Sequence, residues 1–218
     1  MPSDINEPCV SGIKTQSVPV SDLLILSDRG AGATLQERVS SVLNDALGKV
    51  DLASYDYILR VDSDTVLPPN FLERNLGLAD VVGSGYAHLI RVPAFLDAMG
   101  GKFNVVSDDS YLNYKFMQCG YKCTDWKVKP CLMRKPGKKH RFTYFLNQGY
   151  VMWVCGYEPF HVLYEPFHVF GTFIWDRRHI LVIFGYFISL LKRKPRLDVA
   201  NFVFCLQIRR LMSIVRVN

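Results

Sequence analysis

The sequence of 218 residues lacks the short motifs that identify many enzymes and metal proteins directly. Its six cysteines contain no Cys-x-x-Cys pair, so we do not expect a structural zinc site. There is no His-Glu-x-x-His, no Gly-x-Ser-x-Gly and no P-loop, which argues against zinc proteases, serine hydrolases and P-loop nucleotidases. The histidines show no metal-ligand pattern, being dispersed at His88, His140, His161, His168 and His179.

Long apolar runs and a secretory signal are also missing from the sequence. The longest uncharged apolar segment, 180–191, has twelve residues. A helix of that length rises about 18 Å, which is too short for a hydrocarbon core about 30 Å thick. Residues 1–10 carry Asp4 and Glu7 and have no apolar core, unlike a signal peptide. We therefore expect a cytosolic protein whose cysteines are reduced and mostly buried.

Charge is distributed unevenly along the chain. Residues 1–126 contain 10 Lys and Arg against 16 Asp and Glu, a net charge of −6, whereas residues 127–218 contain 16 against 4, a net charge of +12. An acidic body followed by a basic, aromatic-rich tail indicates two separate tasks. No RNA- or DNA-binding motif accompanies the basic residues, so we expect no nucleic-acid partner.

Apolar runs and segments of helical periodicity alternate along the first part of the chain. This alternation favours an α/β layered domain with a largely parallel sheet. Strands are predicted at 23–26, 55–61 and 81–85, and helices at 34–47, 68–76, 92–99 and 110–119.

After residue 126 the composition changes. A basic segment with proline and glycine, 134–141, is predicted to be a loop, and residues 142–191 are aromatic and apolar. Residues 199–216 fit an amphipathic helix. One face of this helix carries the apolar residues Phe204, Ile208, Leu211, Met212 and Val215.

The acidic motif Asp62-Ser63-Asp64 directly follows a predicted buried strand. In α/β sheets ligands bind beyond the carboxyl ends of strands, where two carboxylates at i and i+2 can converge on one hard cation. The motif alone is weak, since about one Asp-x-Asp is expected by chance among 15 Asp. Its position between an apolar strand and a helix start at Pro68-Pro69 strengthens it. The alternative is a turn with two exposed carboxylates.

A second acidic pair, Asp108-Asp109, opens the helix predicted at 110–119. Acidic residues are favoured in the first turn of any helix by its dipole and free backbone N–H groups, which is a purely structural explanation. The functional alternative is a carboxylate that takes a proton from an attacking hydroxyl group. The spacing alone leaves both explanations open.

Taken together, these segments resemble the inverting family-2 glycosyltransferases of the GT-A fold. Residues 55–72, YDYILRVDSDTVLPPNFL, are similar to the family's strand that runs into a metal-binding Asp-x-Asp and a Pro-x-x-Leu helix. Residues 109–122 resemble the segment that carries the family's general base. The segments NDAL at 44–47 and LILSD at 24–28 are similar to two further parts of the family pattern. The resemblance covers residues 13–126.

The resemblance implies a GT-A domain, Rossmann-like with three α/β/α layers, and a role for individual residues. Asp62 and Asp64 would hold Mg²⁺ or Mn²⁺, and Asp109, with Asp108 beside it, would act as the catalytic base. Contacts to the nucleotide-sugar donor are implied for Asp28, Asn44 and Asp62. The basic run that contains Arg134 and Arg141 is predicted from its charge to stabilise the donor diphosphate or to meet an acidic acceptor, with a solvated loop as the alternative.

The sequence departs from the family pattern in two ways. The usual first strand has no counterpart, because residues 13–16 already look like the end of a helix, so the expected domain is N-terminally shortened. The Gln-x-x-Arg-Trp motif of processive polysaccharide synthases is missing, which argues against a processive polymerase. A Gly-Tyr-x-Pro segment at 156–159 is similar to membrane-proximal segments of lipid- or polysaccharide-directed members.

We therefore predict a metal-dependent, inverting, hexosyltransferase-like enzyme that moves a sugar from a nucleotide-sugar donor to a hydroxyl of a glycan or lipid-linked acceptor. The glycosyltransferase domain is predicted at 1–155. A basic, aromatic, helical tail at 156–218 is predicted to associate peripherally with the cytoplasmic face of the membrane. The alternative is a non-catalytic, glycosyltransferase-like subunit that binds a membrane or a partner enzyme. A sugar-nucleotide pyrophosphorylase is disfavoured, because no Gly-rich N-terminal loop is found.

Overall fold

The computed structural model describes residues 7–26, 30–32, 34–106, 108–133, 142–168 and 177–215. Contacts divide the chain into two units, Met1–Pro136 and Gly137–Asn218. The elements of the first unit are α1 (Glu7–Lys14), α2 (Leu35–Leu47), a 3₁₀ turn (Leu52–Ser54), β1 (Tyr57–Val61), β2 (Thr65–Val66), α3 (Phe71–Asn75), β3 (Val81–Ser84), β4 (Ala87–Arg91), α4 (Val92–Met99), α5 (Asp108–Gln118), β5 (Cys123–Thr124) and β6 (Cys131–Leu132). Those of the second unit are α6 (Phe142–Val154), α7 (Pro159–His168), α8 (Arg177–Leu191) and α9 (Ala200–Val215).

The first unit is mixed α/β, as predicted, but its main sheet is not largely parallel. That sheet has four strands in the order β1-β4-β3-β5. The β1–β4 and β3–β4 pairs are antiparallel, and only the β3–β5 pair of this described sheet is parallel. The prediction was wrong because β3 and β4 are joined by the short turn Gly85-Tyr86, and so tight a connection can join only antiparallel neighbours. β2 and β6 form a separate antiparallel pair.

The strand predicted at 23–26 does not form. Leu23 packs against the core of the first unit, whereas Leu24, Ile25 and Leu26 are 55%, 51% and 43% exposed. No ladder partner for this run exists among the described residues. An apolar run becomes a strand only where a neighbouring strand takes up its backbone hydrogen bonds, so apolarity alone was an insufficient signal.

The predicted helices of the first unit are confirmed, with small shifts at their ends. α2 begins after Thr34, whose hydroxyl accepts from the Glu37 N–H while the Glu37 carboxylate accepts from the Thr34 N–H. This reciprocal capping box satisfies two donors at the helix start. α4 has the predicted bounds and ends at Gly100, whose φ of 61° is left-handed backbone that favours glycine.

Helices cover both faces of the main sheet. One apolar cluster joins α1 and α3 to Val82 and Leu89, and the other joins α4 and α5 to Val81 and Ile90. Successive residues of β3 and β4 therefore point to opposite clusters, as the pleat of a strand requires. Burial of each such side chain stabilises the fold by about 1.5–3 kcal/mol.

The second unit is held together by close contact between α6 and α8. A Cβ atom placed on Gly149 would collide with the carbonyl oxygen of Val182, and one placed on Gly185 would collide with that of Leu146. Glycines at such a contact let the two helix backbones approach each other closely. Because α6 belongs with α8, the second unit begins ahead of α6, and the boundary predicted between residues 155 and 156 lies inside it.

A buried carboxylate begins α7. Glu158 is 1% exposed, and its carboxylate accepts from the backbone N–H groups of Phe160 and His161. These are free donors of the first helical turn, which an acidic side chain satisfies well. The Glu158 N–H donates in turn to the side-chain oxygen of Gln207 at 2.8 Å, so this cap also connects α7 to α9.

A helix forms over Ala200–Val215 (α9), inside the segment 199–216 predicted to be amphipathic, but the face rich in large apolar residues is not the buried one. Ala200 and Val203 are fully buried, whereas Phe204 and Met212 are 39% and 52% exposed. A Cβ atom placed on Gly156 would collide with the backbone of Ala200, so only glycine fits at position 156 beside the start of α9. In the described part of the chain, no helix combines the length and apolarity needed to cross a membrane.

Candidate functional site

The Asp62-Ser63-Asp64 segment lies where β1 ends, as predicted. Its backbone is fixed by segments that are distant in the sequence. The Asp62 N–H donates to the Tyr86 carbonyl at 2.9 Å, and the Asp64 carbonyl accepts from the Met133 N–H at 2.9 Å. The Thr65 N–H closes the turn by donating to the Asp62 carbonyl at 3.0 Å. The backbone of the turn is therefore held at a defined place at the end of β1.

Cys9 of α1 also reaches this turn. Its thiol donates to the Asp62 carbonyl, with 3.6 Å between Sγ and the oxygen. Burial raises the pKa of the Cys9 thiol, and the negative charges of Asp62 and Asp64 raise it further, although a hydrogen bond with the Thr65 backbone acts in the opposite direction. The thiol is therefore protonated at neutral pH.

Arg60 lies against Asp62 from within the fold. The Arg60 Nη2 atom is 3.4 Å from the Asp62 Oδ1 atom. The Arg60 side chain is 11% exposed and that of Asp62 is 45% exposed. A half-exposed ion pair contributes only about 0–1 kcal/mol to stability, so the main effect of Arg60 is to orient the carboxylate.

Asp62 and Asp64 have the donor chemistry for a divalent cation. Among the described residues, no three His, Cys, Asp or Glu side chains converge in a way that could hold a metal. Mg²⁺ is commonly bound by one or two carboxylates and fills its other positions with water and substrate phosphate oxygens. The pair fits a metal of that kind, which is shared with a ligand.

The second acidic pair lies in the first turn of α5, not ahead of it. The helix begins at Asp108, and the Asp109 Oδ1 atom accepts from the Ser110 N–H at 2.6 Å. This is the place where a carboxylate satisfies a free helix donor, so the structural explanation is sufficient for its location. Asp109 is partly buried, and its charge acts on His88 of β4. A catalytic role stays a prediction.

His88 is the residue that sequence reasoning missed. It is 1% exposed and lies in β4 directly opposite Arg60 of β1. Burial lowers the pKa of His88 to about 4; the charge of Arg60 lowers it as well, and that of Asp109 opposes the shift. Neither ring nitrogen has a hydrogen-bond partner in the described part of the chain. The only sequence signal is a single histidine within an apolar strand.

Asn44 positions the segment that leads into α5. Its side-chain oxygen accepts from the Phe103 N–H at 2.7 Å, and its side-chain nitrogen donates to the Phe103 carbonyl at 3.0 Å. Both ends of the amide thus bind one backbone residue, and a donor contact for Asn44 stays a prediction. The remaining predicted donor contacts, Asp28, Arg134 and Arg141, lie outside the described residues.

A shallow depression lies at the opposite end of β1 from the acidic turn. Its lining consists of Asp56, Tyr57, Leu76, Arg91 and Pro93. Tyr57 and Arg91 form the first residue pair of the β1–β4 ladder, whereas Asp62 follows the last pair. The depression is therefore separate from the candidate site.

Comparisons with protein-family models, curated proteins and solved structures give no match to this chain. The functional argument therefore depends on the geometry around the acidic turn and on the resemblance of the motifs.

Proposed function

We propose that the chain is a glycosyltransferase of the inverting family-2 type, which moves a sugar from a nucleotide-sugar donor to an acceptor hydroxyl. The observation that carries the proposal is the Asp62-Ser63-Asp64 turn, whose backbone is tied down at the end of β1 while neither carboxylate is fully buried. This end of a strand is where α/β proteins bind ligands. Asp109 is close enough to these strands for its charge to affect His88, which supports one common site.

The proposed chemistry divides among three carboxylates and one guanidinium group. Asp62 and Asp64 would hold a divalent cation, and that cation would neutralise the charge of the nucleotide diphosphate leaving group. Arg60 orients the Asp62 carboxylate through the contact between its Nη2 atom and the Asp62 Oδ1 atom. Asp109 takes the proton of the acceptor hydroxyl as its oxygen bonds to the anomeric carbon and the bond from that carbon to the diphosphate breaks. Inversion at this carbon follows from attack opposite the leaving group.

A screen of UDP-, GDP- and dTDP-sugars for Mn²⁺-dependent transfer or hydrolysis tests this proposal. We expect Asp64→Ala and Asp109→Asn each to reduce turnover by a factor on the order of 10² or more while the far-UV circular dichroism is unchanged. Asp45→Asn, on the exposed side of α2, is the matched control and should retain full activity. Full activity of either site variant would remove that residue from the proposal.

A non-catalytic, partner-binding subunit is the second candidate function. The exposure of Leu24, Ile25 and Leu26 favours it, because exposed neighbouring apolar side chains are typical of protein interaction surfaces. Calorimetry with sugar nucleotides, with and without Mn²⁺, discriminates between the two functions. Binding that requires Mn²⁺ supports the enzyme, and absence of binding by the whole panel supports the subunit.

We also propose that the second unit contacts an anionic membrane surface peripherally. Its sequence, 137–218, has 12 Lys and Arg against four Asp and Glu. On α8 the exposed side chains of Phe184, Ile188 and Leu191 recur at helical spacing, and the basic segment 192–194 follows at once. Apolar insertion together with about 1 kcal/mol per basic residue is the usual basis of such binding.

Co-sedimentation with vesicles tests the membrane proposal. The full chain should sediment with vesicles that contain phosphatidylserine and much less with neutral ones. Changing Lys192, Arg193 and Lys194 together to Ser should reduce sedimentation several-fold, whereas Lys129→Ser in the first unit should not. Equal sedimentation of all three proteins would contradict the proposal.

A further inference from the structure

One buried side chain next to the candidate site has polar atoms that the described residues leave without a partner. Both ring nitrogens of His88 are shielded from solvent, and neither has a hydrogen-bond partner among those residues. Buried polar side chains in folded proteins are almost always hydrogen-bonded, and leaving one unpaired is destabilising. Such an exception needs an explanation in terms of a ligand, an enclosed water or a catalytic role.

His88 lies directly beneath the acidic turn. The last residue pair of the β1–β4 ladder joins Val61 to Ala87, and the next pair inward joins Arg60 to His88. Residues opposite each other in an antiparallel pair project from the same face of the sheet, so the imidazole and the guanidinium are neighbours. The charge of Asp109 reaches the ring from α5. His88 therefore lies between the Asp62 side and the Asp109 side of the site.

The protonation state of the ring defines the chemistry of its partner. A neutral imidazole offers one N–H donor and one lone-pair acceptor. A phosphate or carboxylate can pair only with the N–H, and an ammonium group only with the lone-pair nitrogen, where the nearby positive charge of Arg60 disfavours it. A hydroxyl group both donates and accepts, so it matches either nitrogen. Sugars present several such hydroxyls close together.

We propose that His88 is a ligand-binding residue that hydrogen-bonds a sugar hydroxyl held between Arg60 and Asp109. This inference rests on the proposed function, and it adds the part of the ligand that the protein recognises. The hydroxyl belongs either to the sugar of the donor or to that of the acceptor. The alternative is an enclosed water that serves packing only.

Calorimetry on the full chain with Mn²⁺ separates these cases. The probes are UDP, GDP and dTDP, then UDP-glucose, GDP-mannose and dTDP-glucose, and finally the methyl glycosides of glucose, galactose and mannose added to a nucleoside diphosphate complex. We expect His88→Phe to weaken binding of the nucleotide sugar, or of the glycoside, about tenfold. Binding of the bare diphosphate should change less than about twofold, since the lost bond concerns the sugar alone. His88→Gln, which keeps a donor and an acceptor, should restore part of the affinity.

The stability of the same variants distinguishes ligand binding from packing. If His88 serves a ligand, replacing an unpaired polar ring by an apolar one of similar size should leave the urea midpoint unchanged or raise it. A lower midpoint together with an equal loss of affinity for every probe identifies a packing residue and overturns the inference. Unchanged affinity of His88→Phe for all sugar-bearing probes overturns it as well.

A direct spectroscopic readout keeps the inference separate from the proposed function. In the full chain labelled with ¹⁵N in histidine rings, the His88 nitrogens should shift when a binding sugar nucleotide or methyl glycoside is added. If wild-type protein binds no nucleotide at all, the proposed glycosyltransferase is wrong. In that event a shift caused by methyl glycosides alone still supports a hydroxyl site at His88, and the absence of any shift overturns it.

Discussion

Among the described residues both units expose some large apolar side chains, but the second unit exposes a larger share of its own. In the first unit the side chains of β3 and β4 are buried against helices on both faces, and the unusual groups are polar ones at the end of the sheet. In the second unit two helices meet through glycine, and many large apolar side chains, such as Phe160 and Leu191, are left at the surface, 71% and 80% exposed. Side chains whose burial does not match their polarity indicate where a protein binds its ligands or partners. Buried polar atoms point to a ligand, and exposed apolar side chains point to a surface partner.

The largest expected effect on stability comes from disrupting the α6–α8 contact of the second unit. Gly149→Val places a branched side chain against the backbone of α8, and we expect the free energy of unfolding to fall by about 3 kcal/mol or more, because neither backbone can move away without separating the helices. Urea unfolding followed by Trp153 fluorescence, in a Trp126→Phe and Trp175→Phe background, measures it. Gly48→Ala in the first unit is the control. Its φ of −65° suits alanine, so its stability should be equal or slightly higher. An unchanged midpoint for Gly149→Val would show that the glycine contact is not needed.

The second prediction concerns the pH dependence of stability that the buried side chain of His88 gives to the first unit. The pKa of His88 is about 4 in the fold and 6.5 for an ordinary histidine, so the unfolded chain binds the extra proton first as the pH falls. Stability linked to His88 is fully present above pH 6.5 and is lost as the pH falls from 6.5 toward 4, by about 2 kcal/mol at pH 5. Urea unfolding at pH 8 and at pH 5 measures this loss. The free energy of unfolding should fall more between these two pH values in the wild-type protein than in His88→Phe. Identical pH dependence of both proteins would contradict it.

A smaller effect concerns the two hydrogen bonds by which the Asn44 side-chain amide holds the segment that leads into α5. Asn44→Ala removes both hydrogen bonds to the Phe103 backbone, and we expect a loss of about 1–2 kcal/mol in the free energy of unfolding. Asp45→Ala, one residue away on the exposed side of α2, should change it by less than about 0.5 kcal/mol. Thermal unfolding followed by circular dichroism compares the two. Equal losses of stability in the two variants would mean that the hydrogen bonds of the Asn44 amide do not stabilise the fold.

The smallest expected effects on stability come from replacing two exposed leucines, one in each unit. The two replacements should differ in their effect on vesicle binding. Leu24→Ser and Leu191→Ser replace residues that are 55% and 80% exposed, so each should change stability by less than about 0.5 kcal/mol. Only Leu191→Ser should reduce co-sedimentation with phosphatidylserine vesicles, because only that residue adjoins the basic segment 192–194. A comparable reduction by Leu24→Ser would remove the distinction between the two surfaces.

Local patterns in the sequence were sufficient for α2 to α5, for the helix within 199–216 and for the acidic turn, but not for α1 or α6, which were not predicted. Thr34 with Glu37 carries the capping box of α2, and the apolar strand 57–61 leads directly into Asp62. These features depend on residues within a few positions of one another, so they can be read from the chain without tertiary information.

The features that could not be predicted depend on distant neighbours. The direction of β4 follows from the tight turn at 85–86, and the fate of the run 23–26 depends on whether another strand pairs with it. His88 is informative only because the surrounding elements bury it without supplying a partner. The close approach of Gly156 to the start of α9 is a further contact of this kind, because a Cβ atom at position 156 would collide with the Ala200 backbone. Periodicity cannot reveal such partners.

The anchoring of the acidic turn has a consequence for the order of folding. Its hydrogen bonds lead to Cys9, Tyr86 and Met133, which lie tens of residues away along the chain on either side. Contacts of such separation carry a loop-closure entropy cost and form only after the intervening elements are in place. The turn should thus be completed among the last steps of folding. The Asp62 amide proton, which donates to the Tyr86 carbonyl, should then exchange with solvent through an opening of this turn that costs less free energy than unfolding of the whole first unit.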